Sequence, residues 1–237
     1  MLKELLSIFR SSEPLAEMGE KFSRMLDLTY DMTIRAGEIY FSDSLHADAR
    51  TLVYKTDVKV NKLERKIRKQ VIAHLTLSSD RGSVPYCLLL MSLVKDVERI
   101  GDYAKNLAEI RDLHPAELPE DQIVGELQEI RLGIEQGFAE ISPVFQASDH
   151  ERAVELIREG RDLTRRCDAL VGRVARSSYS AAAATAVVMG ARFYKRIGAH
   201  VLNVLSSVVM PLHKLDYYDE KLLEESVESP DGGGDAD

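Results

Sequence analysis

The 237-residue chain reads as all-α, with two tandem antiparallel three-helix bundles made from six long helices. Three observations predict this. Glycine and proline are few, 14 and 7, while Leu, Ala, Glu, Arg and Lys dominate, a composition typical of helical bodies. Apolar residues recur at helical spacing over long runs, and turn-forming residues separate the runs. Three such helices precede a proline-marked linker at 114–120 and three follow it, which is the signature of a repeat.

The first helix starts near residue 15, where Met18, Phe22, Met25, Thr29, Met32, Ala36 and Ile39 alternate spacings of four and three, the seam of a packed helix. Ser42, Asp43 and Ser44 end it. A second helix is predicted over about 46–77, with Val53, Thr56, Val60, Leu63, Ile67 and Val71 inward and many Lys and Arg outward. Residues 78–83 form the turn. Pro85 suits the first turn of the third helix, whose seam is Leu90, Leu93, Val97, Ile100, Ala104 and Leu107. His114-Pro115 stops it, because the residue before proline avoids helical backbone. Periodicity resumes with Ile123, Leu127, Ile130, Ile134, Phe138, Ile141 and Phe145, and Pro143 should kink or end that fourth helix. A fifth helix follows over about 149–176 and a sixth over about 180–210. Leu212–Val227 could add a short helix before a disordered end.

The resulting organisation is an amphipathic opening at 1–14, a first bundle at 15–113, the linker at 114–120, a second bundle at 121–215 and an acidic tail at 216–237. Self-similarity supports duplication. Glu98–Leu107 aligns with Lys195–Val204, with Arg99/Arg196, Ile100/Ile197, Gly101/Gly198 and Asn106/Asn203 identical.

The formal charge is −8, and the tail accounts for it, with nine acids against Lys221. The remaining body is neutral, has no net basic field, and is therefore not expected to bind nucleic acid. Cys87 and Cys167 lie far apart without a CxxC spacing and read as buried thiols of a reducing compartment. The opening Leu2, Leu5, Leu6, Ile8 and Phe9 lacks the cleavage site of a signal peptide. No apolar run approaches the ~20 residues of a membrane span; Ala181–Ala191 is the longest and includes Thr185 and Gly190. A cytoplasmic protein is expected.

Nucleophile elbows, phosphate loops and dinucleotide fingerprints are missing from the sequence, so no enzyme is expected. A di-iron carboxylate site needs Glu-x-x-His on two helices, and no histidine has Glu three residues before it. Two carboxylate stripes remain. Glu98 and Asp102, four apart on the third helix, share a face about 150° from the Val97/Ile100 seam and are expected to be exposed. They are either a cation site or a solvated face compensated by Lys95, Arg99 and Lys105. Asp57, Asn61 and Glu64 on the second helix form a stripe of oxygen donors about 80° from its seam, able to face a neighbouring helix. The alternative is a flank paired with Lys62 and Arg65. Oxygen ligands alone suit Mg²⁺, Mn²⁺, Ca²⁺ or ferric iron.

Val97–Ala108, preceded by Val60–Glu64 and Pro85, resembles the PhoU family of bacterial phosphate-uptake regulators, with Glu98–Asp102 the most specific stretch. The resemblance covers roughly residues 15–210. It implies two three-helix bundles, a cytoplasmic location, frequent homodimerisation, and metal sites in which surface Glu/Asp-x-x-x-Asp motifs hold iron or other cations. That places Glu98 and Asp102 as ligands, with Asp57, Asn61 and Glu64 as neighbours. Lys195 and Ala199 replace the two acids in the second half, so the second bundle is expected to have lost its site, leaving one asymmetric site on the first bundle; Asp162, the counterpart of Asp57, does not suffice alone. The implied function is non-catalytic: repression of phosphate-starvation signalling through a phosphate transporter component or a membrane sensor histidine kinase. The alternatives are a metal-storage bundle, or a regulatory module acting in trans on a sodium–phosphate transporter. Docking surfaces would be the amphipathic opening and the alanine-rich start of the sixth helix, the latter more simply explained by close packing within the chain.

Overall fold

A computed structural model describes residues 13–42, 47–113 and 117–215. The described residues form α1 (Glu13–Phe41), α2 (Ala47–Leu77), α3 (Val84–Leu113), α4 (Gln122–Ala139), α5 (Ile141–Ala147), α6 (His150–Val174) and α7 (Ala181–Val209), with short 3-10 turns at Arg81–Ser83 and Leu212–Lys214. No strand occurs among them. The opening up to residue 12 and the acidic tail from 216 lie outside the described residues.

Local chemistry sets the boundaries. Asp121 caps α4 by accepting from the backbone N–H groups of Ile123 and Val124 at 2.9 and 3.1 Å. Asp149 and Ser180 cap α6 and α7 in the same way, through Arg152 and Ala183, each satisfying a donor with no partner in the first turn. The expected fourth helix is two helices, broken at Glu140. Pro143 explains the break, because it has no N–H to donate to the Ala139 carbonyl and its ring would clash there. Ser148, in left-handed backbone at φ 52°, then turns the chain into α6.

The helices α1, α2 and α3 pack on one another, α6 and α7 pack along their lengths, and α4 lies against both. The two sets meet where α3 crosses α7, and one hydrophobic core runs through both. Every residue of the α1 seam is buried. Thr29 and Thr33 fit in it because their hydroxyls donate to the carbonyls of Met25 and Thr29 at 2.9 and 2.8 Å. The α3 helix touches α1, α2 and α7, so it is buried well beyond its predicted seam: Leu89, Val94 and Ala108 are covered as fully as Leu90 and Val97. At the start of α7 the small residues admit Tyr40, whose hydroxyl donates to the Ala186 carbonyl at 3.1 Å. The alanine-rich surface is thus occupied within the chain. Both cysteines are free and buried, and burial pushes the Cys167 thiol up to about 12.

The crossing of α3 and α7 retains the internal repeat. Tyr103 stacks on His200, its counterpart 97 positions later, with ring centroids 5.7 Å apart. On one side of this pair, Asp96 Oδ1 accepts from Asn203 Nδ2 at 2.8 Å and meets His200 Nδ1 at 2.7 Å. On the other side Phe193, the counterpart of Asp96, packs near Tyr103. Residues 97 positions apart in sequence thus meet at this crossing.

Candidate functional site

The Val97–Ala108 segment occupies the middle of α3. Val97, Ile100, Ala104, Leu107 and Ala108 are fully buried, which leaves Glu98, Arg99, Asp102 and Lys105 for the remaining side of the helix. That side is less open than helical geometry predicts. The Glu98 side chain is 13% exposed and that of Asp102 28%, because α2 lies alongside and the lysine stems cover the carboxylates.

Each acid has a cationic partner. Lys95 Nζ bonds Glu98 Oε2 at 2.5 Å, and Arg99 approaches Asp102 Oδ2 at 3.5 Å. Lys105 Nζ spans two helices, at 3.1 Å from Asp102 Oδ1 and 3.4 Å from Asp57 Oδ2. Asn61 Nδ2 donates to the same Asp57 oxygen at 3.2 Å. Glu64 faces Arg68 one turn on, at 3.0 Å. The structure therefore brings Asp57, Asn61 and Asp102 together around Lys105. Glu98 joins them through its charge, and Glu64 pairs within its own helix. The flank pairs on α2 and α3 involve Arg68 and Lys105, where Lys62 and Arg65 were the expected partners.

Electrostatics separate the members of the cluster. Burial raises the Asp57 carboxyl above its ordinary range; the Lys105 charge opposes this, while Asp102 and Glu98 reinforce it. Burial pulls the Lys105 ammonium down, but the bonds and charges of Asp102 and Asp57 together outweigh it and leave its pKa raised. Two neighbouring carboxylates favour the charged form of the ammonium, whereas burial and two neighbouring acids disfavour the charged form of Asp57.

The donor types suit a hard cation, yet the arrangement does not fit one. Among the described residues no three His, Cys, Asp or Glu side chains converge to hold a metal ion, and the Lys105 ammonium stands where such an ion would bridge Asp57 and Asp102.

The second bundle lacks this cluster entirely. Lys195 and Arg192 pair with Asp168 at 2.5 and 3.3 Å, and Ala199 stands at the counterpart of Asp102. The counterpart of Lys105 is Leu202, whose methyls pack over Gly160: a Cβ built there would meet Leu202 Cδ2 at 2.6 Å. Gly160 thus faces Leu202 on α7 as Asp57 faces Lys105 on α3. Asp162 is exposed.

Two polar pairs escaped sequence reasoning. One is the buried Asp96 at the α3–α7 crossing. The other is Arg131–Glu135 on α4, 2.7 Å apart and nearly buried, with the guanidinium 5.5 Å from the Phe41 ring centroid. Asp96 stood out only as an acid flanked by Val94 and Val97. Arg131 and Glu135 had the i, i+4 spacing of any surface pair.

Residues 22–111 match the PhoU domain family. Among solved structures, the fold matches PhoU from Pseudomonas aeruginosa with TM-score 0.74 and 18% identity, over 82% of this chain and 95% of that one. It also matches the phosphate transport system regulatory protein PhoU from Streptococcus pneumoniae with TM-score 0.70 and 16% identity, over 81% and 92%. At these identities the structural likeness establishes the fold. No curated protein matches the sequence. Among the described residues no helix is long and apolar enough to cross a membrane.

Proposed function

We propose that the chain is a non-catalytic regulator of phosphate uptake and phosphate-starvation signalling, acting in the cytoplasm as a homodimer by binding a transporter component or a sensor histidine kinase. The observation that carries this reading is the PhoU domain at residues 22–111, in which the Glu98–Asp102 block holds the centre of α3 with every charge compensated. Compensated charge suits a docking surface, whose ion pairs can be exchanged with those of a partner. A finer element of the proposal, carried by the oxygen-donor types and not by the lysine-closed arrangement, is tuning by iron, Mn²⁺, Mg²⁺ or Ca²⁺ on Glu98 and Asp102. Such a cation would enter only by displacing the ammonium of Lys105.

One experiment tests both levels. The gene is deleted in its host, and phosphate-starvation genes are measured in phosphate-rich medium, with complementation by wild type and by Glu98→Ala/Asp102→Ala. Derepression on deletion, restored to repression by wild type, supports the regulatory role; unchanged expression removes it. Full complementation by the double variant would eliminate cation tuning while leaving the regulator intact.

A further inference from the structure

The outer face of α2 has no part in the cluster described above. Lys55, Lys59, Lys62, Lys66 and Lys69 follow one another at spacings of four, three, four and three, and all five are exposed. At 100° and 1.5 Å per residue they fall within an arc of about 80° and extend about 21 Å along the helix. Arg65 lies beside them and is exposed as well. The acids of α2's middle, Asp57 and Glu64, point to the opposite side, towards Lys105 and Arg68. Asp48, two turns before the ladder, is the one acid of residues 47–77 on the same arc.

Exposed apolar side chains flank the ladder. Val58, 50% exposed, lies beside it within its length, and Leu52 and Leu77, 37% and 85% exposed, lie beyond its two ends on the same side of the helix. Helix α6, residues 150–174, contains no lysine. The ladder is thus a property of the first bundle and is not found on α6.

We propose that this face of α2 is a peripheral docking surface for an anionic lipid bilayer. A straight row of cations can meet a plane all at once, and basic residues near an anionic leaflet contribute roughly equal increments. The flanking Leu52, Val58 and Leu77 would gain from the headgroup boundary, as on interfacial helices, and would gain nothing from a phosphodiester backbone. Lysine, a point charge on a long stem, suits a diffuse anionic surface, whereas paired recognition of carboxylates or phosphodiesters favours arginine. The inference does not rest on the regulatory reading, because the face would bind lipid whatever protein it brings to the membrane.

The full chain is sedimented with vesicles of phosphatidylcholine alone and of phosphatidylcholine with about one third phosphatidylglycerol, from low salt to about 0.15 M. Three proteins are compared: wild type; Lys55→Gln/Lys59→Gln/Lys62→Gln/Lys66→Gln/Lys69→Gln; and a charge-matched control, Arg158→Gln/Arg165→Gln/Arg176→Gln/Arg196→Gln/Lys214→Gln. Circular dichroism confirms that each is folded. The expected result is binding to anionic vesicles only, weakening with salt, at least tenfold weaker in the ladder variant and unchanged in the control. No wild-type binding to anionic vesicles at low salt, or equal loss in both variants, would overturn the proposal. So would an equal affinity for a DNA duplex, which would make the ladder a general polyanion surface.

Discussion

Lys105→Met isolates the link between the two carboxylate stripes. It keeps the length and apolar stem of the side chain and removes the ammonium that bridges Asp57 and Asp102. Breaking a fully buried pair leaves an uncompensated charge and costs about 3–5 kcal/mol. Here Lys105 is 22% and Asp102 28% exposed, so water recovers part of the loss, and the expected cost at pH 7 is about 2 kcal/mol. For a chain of this size that lowers the melting temperature by roughly 4–8 °C.

The cost depends on pH with a definite sign. The Asp57 carboxyl is raised in the folded state above the reference value of 3.8, so the stability it confers is complete below that value and declines as pH rises through its folded pKa. Without Lys105, which opposes the shift, that window extends upward. The deficit of Lys105→Met should therefore be largest near neutrality and shrink on acidification, and Asp57→Asn/Lys105→Met should recover part of it. Urea denaturation of the four proteins of the cycle, from pH 4 to pH 7, measures this. A Lys105→Met protein within about 0.5 kcal/mol of wild type at pH 7, or a deficit that does not change with pH, would refute the bridging role.

Gly190→Ala should reverse the usual stabilising effect of alanine in a helix, because its Cβ would lie 2.5 Å from Cζ of the buried Tyr40 ring and closer still to the hydroxyl. A net loss of about 1–3 kcal/mol is expected, against a gain of up to about 1 kcal/mol for Gly125→Ala, where a Cβ meets nothing within 4 Å; thermal denaturation of both variants reads the contrast. Elemental analysis of wild type beside Glu98→Ala/Asp102→Ala, after dialysis without chelator, should show no stoichiometric metal in either protein under the lysine-closed geometry. A metal present in wild type and lost in the variant would establish the displaced-lysine site.

The helices were legible because each seam is a local pattern. The Met18–Ile39 seam needed only spacing, and Asp121, Asp149 and Ser180 mark starts through bonds to residues two or three positions on. The break at Glu140 was legible through Pro143. What spacing could not show is which side of a helix a third neighbour covers. The wheel put Glu98 and Asp102 in solvent because it counted one seam on α3, whereas α3 is packed by three helices. Asp57 was read as part of a stripe able to face a neighbouring helix, but its bond to Lys105 joins residues 48 positions apart, and no local pattern encodes that distance. Asp96 is the same case at greater range: its partners, His200 and Asn203, lie more than a hundred positions away.

The two halves also differ in what their paired helices place against each other. Gly160 has no side chain, so Leu202 closes against the α6 backbone. In the first bundle Asp57 and Lys105 face each other across α2 and α3, and removing one partner leaves the other poorly compensated. The change from one arrangement to the other needs both positions at once: Leu at 105 would strand Asp57, and Asp at 160 would collide with Leu202. The exchangeable ion pairs and the lysine ladder both belong to α2 and α3, so substitutions that alter partner binding without altering stability should concentrate on those two helices.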